Sequence, residues 1–394
     1  MGFFRELFGV RKKKAEKRHR HRRRRDDSDD DGGRLDPWSE EGIEASLKKH
    51  FNGDRKRHGL KYRRIVGQGM FGIAALLQDV RKDPPKSYII KRAKQFKGID
   101  DLRNEINTLR RLRGAAHITK IVKFKDRGYD ETDELPGPYM IVDYLENGSF
   151  REFFQRCRRE GVRVPNRVLW NILLCFVRAC IALTWPLRRG EGAPDEREEI
   201  PTQRGPTAAY AHNDLHMGNV MFGNLQPDVM EHEKVPVIKL IDFGAAAQTD
   251  MGRRPRDERN FNPLQGHASN VYQLGEMMMR LITEMDMALP NWQPVMFGNA
   301  KTDASLLWAP KATERYPFLD ERMRQAIGLM MACRYEHRPT LQQLLEMAYV
   351  TVRDIRSRNY TRRIRNEETS EGIRAFVNRY VFDADEDDDE DDYY

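Results

Sequence analysis

The fold of this chain is decided by residues 210–222, YAHNDLHMGNVMF, and residues 237–244, VIKLIDFG, which are separated by a variable loop. Within them, residues 220–222 and 237–241 are runs of β-branched and aliphatic side chains, which predict two short strands. The loop between the strands is rich in Pro, Asn and Asp, as expected where a chain turns.

Three polar side chains flank the predicted strands: Asp214, Asn219 and Asp242. The strand pair would hold them together at the mouth of one cleft. The oxygen atoms of Asn219 and Asp242 are suited to Mg²⁺ that carries the phosphates of a nucleotide. Asp214 would then accept a proton from an incoming hydroxyl group.

In order and spacing, this stretch resembles the protein-kinase signature H-R-D-L-x-x-x-N followed by D-F-G. The matching residues are His212, Asp214, Leu215, Asn219, Asp242, Phe243 and Gly244. An isolated D-F-G occurs by chance, but the two motifs at this separation are specific. The resemblance implies an α+β, bilobal protein-kinase-like fold, in which a small antiparallel β lobe with one helix precedes a larger helical lobe.

A glycine-rich motif lies upstream, between two apolar runs, at Gly67, Gly69 and Gly72. Glycine lets backbone N–H groups approach a phosphate closely, although a plain hairpin turn would also explain the motif. A dinucleotide-binding fold would open a helix here, whereas this sequence continues as a strand. The resemblance therefore assigns ATP binding to Gly67, Gln68, Gly69 and Gly72.

The next predicted strand, residues 88–91, resembles the kinase sequence V-A-I-K. The resemblance implies that Lys91 holds the α- and β-phosphates of ATP. Ile89 departs from the pattern, because kinases have a small Ala there that leaves room beside adenine.

Apolar residues at helical spacing predict an amphipathic helix over residues 100–113. Glu105 flanks its apolar stripe. Taken alone, Glu105 would be a solvated surface residue, but its position after the lysine strand indicates an ion pair with Lys91.

Residues 138–150 resemble the last strand of the small lobe and the hinge of a kinase. The resemblance places Val142 at the gatekeeper position. It also implies that the backbone of Asp143 and Leu145 meets the edge of adenine.

Beyond the hinge, helical periodicity predicts helices over residues 151–159 and 166–185, and Pro186 would end the second. Residues 188–206 contain Arg, Gly, Glu and Pro without periodicity, which predicts a disordered insertion loop. Residues 268–275 and 333–340 resemble later parts of a kinase large lobe.

Four departures concern the substrate side of the motif. Asn213 replaces the Arg of H-R-D, so activation by a phosphate pairing with that Arg is not expected. His216 stands where Ser/Thr kinases place a Lys that steadies the γ-phosphate. Asn270 replaces the usual Asp of D-x-x-S-L-G, and no A-P-E follows D-F-G, so ordinary peptide docking is in doubt.

Three functions fit this pattern. The first is an ATP- and Mg²⁺-dependent phosphotransferase acting on protein Ser/Thr, with Lys91, Glu105, Asp214 and His216 in catalytic positions. The second is a small-molecule kinase of the aminoglycoside or choline kinase type, since H-x-D-L-H-x-G-N is similar in those enzymes. The third is a pseudokinase that binds partners through charged tails. D-F-G and R-P-T favour the first.

The resemblance covers residues 62–352 and divides them into a small lobe (62–145) and a large lobe (146–352). Composition adds a disordered basic tail (1–36), a leader segment (37–61) and a basic, then acidic, tail (353–394). Within the last segment, residues 353–365 are predicted helical and 367–394 disordered. The basic run at 11–25 suits an importin, nucleic acid or an anionic surface, or is a solvated tail.

The four scattered cysteines indicate buried thiols in a reducing compartment, hence a cytoplasmic or nuclear protein. Cys175 and Cys180 face different sides of one predicted helix, and no His or further Cys lies nearby in sequence, which argues against a metal site there. No membrane span is expected, because the longest apolar stretch contains Arg178. Glu6 occupies the Ser/Thr position that myristoylation requires.

Overall fold

The computed structural model describes residues 35–53, 59–69, 72–94, 96–122, 135, 137–202, 209–249, 266–285, 294–308 and 312–383. These residues form an α+β structure that divides into two compact units. We call the described residues up to Arg103, together with the described residues within Val122–Tyr144, the sheet unit. We call Asn104–Ile121, together with the described residues from Leu145 onward, the helical unit.

The first part of the chain builds an antiparallel sheet. Its elements are α1 (Glu40–Gly53), β1 (Leu60–Gln68), β2 (Gly72–Asp79), β3 (Lys86–Ala93), α2 (Phe96–Arg111), β4 (Ile121–Val122) and β5 (Tyr139–Asp143). The strand order is β1-β2-β3-β5-β4, so the hairpins of the first three strands extend onto β5. The boundary between the two units falls within α2.

The core of the sheet unit includes a helix that the sequence did not assign to it. Ile43, Leu47 and Phe51 of α1 are buried in one cluster with strand residues such as Leu77 and Ile90. The described residues of the predicted leader segment, 37–53 and 59–61, therefore belong to the packed sheet unit. The predicted tail over residues 1–36 lies almost wholly outside the described residues.

The helical unit contains the remaining elements. They are α3 (Phe150–Glu160), α4 (Asn166–Thr184), β6 (Ala209–Ala211), β7 (Val220–Phe222), β8 (Ile238–Leu240), β9 (Ala247–Thr249), α5 (His267–Thr283), β10 (Val295–Phe297), β11 (Ala300–Thr302), α6 (Ser305–Trp308), α7 (Ala312–Arg315), α8 (Glu321–Met330), α9 (Leu341–Asp354) and α10 (Ser370–Val377). Antiparallel ladders join β6 to β9, β7 to β8 and β10 to β11.

Local signals define the ends of α3. Ser149 and Glu152 form a reciprocal capping box at its start, which satisfies two otherwise unpaired backbone donors. Gly161 ends the helix with φ 63°, a left-handed conformation that glycine adopts without a steric penalty. The predicted helices at 151–159 and 166–185 are confirmed as α3 and α4.

Helix α4 is apolar enough and long enough to cross a membrane by composition, but 89% of its apolar window is buried inside the protein. The Arg178 side chain on this helix is also buried and pairs with Glu231, with Nη2 and Oε1 2.6 Å apart. One such helix is weak evidence for a membrane span, and this one serves as the core of the helical unit.

The prediction of a disordered loop over residues 188–206 is wrong for the described part, residues 188–202. The backbone N–H of Glu196 donates to Gly114 O at 2.7 Å, and Ala116 N–H donates to Glu196 O at 3.1 Å. The side chain of Glu198 is 1% exposed. The prediction relied on the charged composition of residues 188–206. In the structure, charged side chains of residues 188–202 have backbone and side-chain partners.

The prediction of disorder is also wrong for residues 367–383. This segment forms α10 and a π-helical turn, Asn378–Phe382. The carboxylate of Glu368 accepts hydrogen bonds from the backbone N–H groups of Asn166 and Arg167 at 2.6 and 3.0 Å, which caps α4. The prediction of a helix over residues 353–365 is also wrong, because α9 ends at Asp354 and the rest of this segment contains only a 3₁₀ turn, Ser357–Asn359.

Candidate functional site

Two loops of the helical unit are held side by side by two strand ladders. The first loop, residues 212–219, runs from β6 to β7, and the second, residues 241–246, runs from β8 to β9. The pairing of β6 with β9 joins the start of the first loop to the end of the second. The pairing of β7 with β8 joins the end of the first loop to the start of the second. We call residues 212–219 and 241–246 the loop pair. It contains the predicted residues Asp214, His216, Asn219 and Asp242.

Hydrogen bonds fix Asp214 and Asn219 to each other. The Asn219 amide donates to the backbone O of Asp214 at 2.8 Å and to its carboxylate Oδ2 at 3.1 Å. A 3₁₀ turn, Met217–Asn219, brings them together, and the His216 Nδ1 atom caps it by accepting from Gly218 N–H at 3.0 Å.

His216 also lies close to the Asp214 carboxylate, with Nε2 and Oδ2 3.7 Å apart. Burial would raise the pKa of Asp214, but the attraction of His216 and, after it, of His212 outweighs burial and lowers that pKa below its usual value. Asp214 is therefore an anion at neutral pH. An ionised carboxylate can accept a hydrogen bond from a hydroxyl group.

The carbonyl of the Asn219 side chain fits the predicted metal. Asn219 is fully buried, and its Oδ1 atom accepts no hydrogen bond among the described residues. A buried acceptor without a donor is costly unless another ligand satisfies it. The backbone N–H of Ile241 donates to Asn219 O at 3.0 Å, so the residue preceding Asp242 is attached directly to Asn219.

Asp242 has φ 62°, in the left-handed region that few non-glycine residues adopt. Such a conformation persists where the surrounding structure holds it. The side-chain amide of Asn104 holds the loop that follows Asp242, because it donates to the backbone O atoms of Gly244 and Ala246 at 2.9 and 2.7 Å.

Asn213 adopts the same conformation, with φ 63°. Asn tolerates this region better than most residues do. Its side-chain amide donates to Ala245 O at 2.9 Å and so joins the two loops. The residue that replaces the Arg of H-R-D thus has a structural contact of its own.

Asn270 of α5 holds the start of the first loop. Its Oδ1 accepts from His212 N–H at 3.0 Å, and its Nδ2 donates to Tyr210 O at 2.8 Å. His212 is fully buried against Phe243, with ring centroids 4.7 Å apart, and its Nε2 lies 3.0 Å from Ile241 O. Burial lowers the pKa of His212, which keeps the ring neutral.

The sheet unit holds the residues predicted to bind the phosphates of ATP. Gly69 N–H donates to Gly72 O at 2.9 Å and closes the β1–β2 hairpin. Gly67 lies opposite Ala74, and Gln68 lies opposite Ile73. Met70 and Phe71, at the tip of the glycine-rich motif, lie outside the described residues.

Lys91 on β3 lies opposite Ala74 of β2 and Met140 of β5. Directly opposed residues share a face, and so do residues two apart on one strand. Ile89 and its partner Val142, the predicted gatekeeper, therefore lie on the same face of the sheet as Lys91.

The remaining predicted residues are distributed over both units. Asp143 ends β5, and its Oδ1 pairs with Lys86 Nζ at 3.1 Å. Glu105 and Leu145 belong to the helical unit, whereas Lys91 belongs to the sheet unit. The ion pair between Lys91 and Glu105 and the adenine contact of Asp143 and Leu145 stay predictions.

Comparison of the chain with protein-family models and with curated proteins gave no match. The interpretation of the site therefore rests on its own residues and geometry.

Sequence reasoning missed Asn104 and did not foresee the bonds of Asn213 and Asn270. No periodicity or motif marks Asn104, which contacts a segment 140 residues away. The sequence marks Asn270 only as a departure from the kinase pattern D-x-x-S-L-G. A polar residue within an apolar helix is a signal that its side chain has hydrogen-bond partners, because a buried amide requires them.

Proposed function

We propose that this protein is an ATP-dependent phosphotransferase of the protein-kinase-like superfamily that transfers the γ-phosphoryl group to Ser or Thr hydroxyls of a protein. The loop pair carries this proposal. It attaches an ionised Asp214 to a buried Asn219, whose Oδ1 accepts no hydrogen bond from any described residue, beside the strand that leads into Asp242.

Asp214 would position the attacking hydroxyl group and accept its hydrogen bond. Its carboxylate is only 16% exposed, and the Asn219 amide restricts its orientation. A positioned base of this kind contributes typically about 10²–10⁴-fold to a rate.

Asn219 and Asp242 would hold Mg²⁺. When bound, the ion would neutralise negative charge on the phosphates of ATP. Lys91 and the hairpin of Gly67, Gly69 and Gly72 would contribute the remaining phosphate contacts, as in the bilobal fold that the sequence resembles.

His216 supports a modified arrangement on the acceptor side. Its Nδ1 caps the turn at Gly218, and its Nε2 faces Asp214. We infer that His216 orients the Asp214 carboxylate, in place of the Lys that steadies the γ-phosphate in Ser/Thr kinases.

Transfer of label from γ-labelled ATP tests this function. The full chain is incubated with Mg²⁺, generic proteins and small alcohols, and the labelled product is identified. Label on protein Ser or Thr is expected. Label on an alcohol alone would favour a small-molecule kinase, and no transfer to any acceptor would favour a pseudokinase.

Nucleotide binding is tested separately by thermal-shift titration with Mg-ATP. Binding to the native state raises Tm, and Lys91→Ala should weaken the effect because a phosphate contact is lost. Lys82→Ala, at an exposed turn of the same sheet unit, is the matched control and should behave as wild type. If wild type shows no stabilisation at millimolar Mg-ATP, the nucleotide site is refuted, and Ile89 on the Lys91 face becomes the residue to examine.

A further inference from the structure

Three side chains of metal-ligand type meet inside the helical unit, away from the loop pair. His117 lies between α2 and β4, Cys175 on α4, and His232 between β7 and β8. One ligand atom from each lies within 4.8 Å of the others, and the residues are 0, 1 and 3% exposed. We call these three residues the His–Cys cluster.

Two nitrogen atoms of the cluster lack hydrogen-bond partners among the described residues. They are His117 Nε2 and His232 Nδ1. A buried polar atom left unsatisfied destabilises the folded state, and most native structures avoid it. Two such atoms beside a thiol point to a shared ligand.

Supporting contacts around His117 match those of metal-binding histidines. Its Nδ1 lies 2.6 Å from Glu198 Oε2, and its backbone N–H donates to Glu198 Oε1 at 2.8 Å. A carboxylate that holds the other ring nitrogen fixes the orientation of a ligating histidine. Glu198 is itself fixed, since Arg178 donates to its backbone O.

We propose that His117 Nε2, Cys175 Sγ and His232 Nδ1 bind a zinc ion. Thiolate and imidazole are the ligands that zinc prefers, and three protein ligands leave a fourth position for water. Binding would release the proton of the Cys175 thiol and would require both rings in the neutral form. With Zn–N of about 2.0 Å and Zn–S of about 2.3 Å, the ligand atoms would approach to about 3.5 Å, so the cluster would contract.

The ion would stabilise the strand that leads into Asp242. Leu240 N–H donates to His117 O, and Thr119 N–H donates to Leu240 O, both at 2.9 Å. The segment around His117 therefore continues the β7–β8 ladder. Zinc at His117 would anchor this segment to α4 and to the loop of His232.

A metal-free alternative accounts for some of the same contacts. Burial lowers the pKa of His117, but the charge of Glu198 and, after it, the neighbouring Cys175 side chain outweigh burial and raise that pKa to about 10. A protonated His117 paired with Glu198 would leave no lone pair for zinc. The experiment must distinguish these two states.

The full chain is produced with zinc in the medium, purified without chelators, and its metal content is measured. We expect about one zinc ion per chain in wild type and less than about 0.1 in Cys175→Ser and His232→Asn. The controls are Cys180→Ser, a buried cysteine on the same helix, and His337→Asn, an exposed histidine; both should retain zinc.

Cobalt substitution decides the question even if a variant fails to fold. Cobalt-loaded wild type should show a thiolate-to-metal charge-transfer band, and a strong chelator should lower the Tm of zinc-loaded wild type. Wild type without zinc, without this band and without a chelator effect would leave the protonated His117 pair as the explanation. Zinc retained equally by Cys175→Ser would place the ion elsewhere and overturn the proposal.

Discussion

The loop pair and the His–Cys cluster lie in the same helical unit but are assembled differently. In the loop pair, Asp214 and Asn219 are five residues apart, and strand ladders hold the backbone on both sides. Around the cluster, His117 and Glu198 are 81 residues apart, and Arg178 and Glu231 are 53 apart. Changes in the loop pair should therefore affect chemistry, whereas changes around the cluster should affect folding.

The largest expected effect is on stability, in Glu198→Ala. This change leaves the His117 backbone N–H and ring without their buried partner. Breaking a buried pair on one side costs about 3 kcal/mol or more, so the free energy of unfolding should fall by that amount. Urea denaturation measures it. Glu199→Ala, at an exposed neighbouring position, is the control and should change the free energy of unfolding by less than about 0.5 kcal/mol. Equal losses in both variants would show that the buried contacts of Glu198 with His117 do not stabilise the fold.

Asp214→Asn should separate chemistry from folding. The shape of the side chain is kept and its charge is removed, so phosphoryl transfer should fall about 10²-fold or more, about 2.7 kcal/mol in activation free energy. The unfolding midpoint in urea should stay near that of wild type, because the ladders hold the loop. Asp228→Asn, at an exposed position, is the control for transfer. Identical rates in wild type and Asp214→Asn would exclude Asp214 from catalysis.

Asn270 tests whether the loop pair depends on α5. Asn270→Ala removes the acceptor for His212 N–H and the donor for Tyr210 O, at a cost of about 2 kcal/mol in unfolding free energy. Asn270→Asp keeps the acceptor and loses only the donor, so its effect should be smaller. If both variants were as stable as wild type, the strand ladders alone would hold the first loop.

The sequence predicts well what is encoded by neighbouring residues. Strands β7 and β8 are confirmed because β-branched runs and a turn-rich loop are local signals. Helix α4 is confirmed because its periodicity and Pro186 are local as well. The closeness of Asp214 and Asn219 follows from the same short range.

Contacts between distant segments could not be predicted. Residues 188–202 and 367–383 are rich in charge, which favours disorder when each residue is judged alone. Their carboxylates at Glu198 and Glu368 are instead buried against backbone N–H groups of other segments. The His–Cys cluster escaped prediction for the same reason, since its members come from three different segments.

The capping of α4 by Glu368 has a consequence for synthesis on the ribosome. Helix α4 is the core of the helical unit, and the backbone N–H and side-chain amide of its first residue, Asn166, both donate to the carboxylate of Glu368, 202 residues later in the chain. Because the N-terminal end of the chain is synthesised first, the N-terminus of this helix lacks its cap until residue 368 has left the exit tunnel of the ribosome. The hydrogen bond that Arg156 donates to the carbonyl of Tyr380 can form only after residue 380 has emerged as well. A nascent chain released before that point would expose an unfinished core, and it would be a natural target for chaperones and proteases.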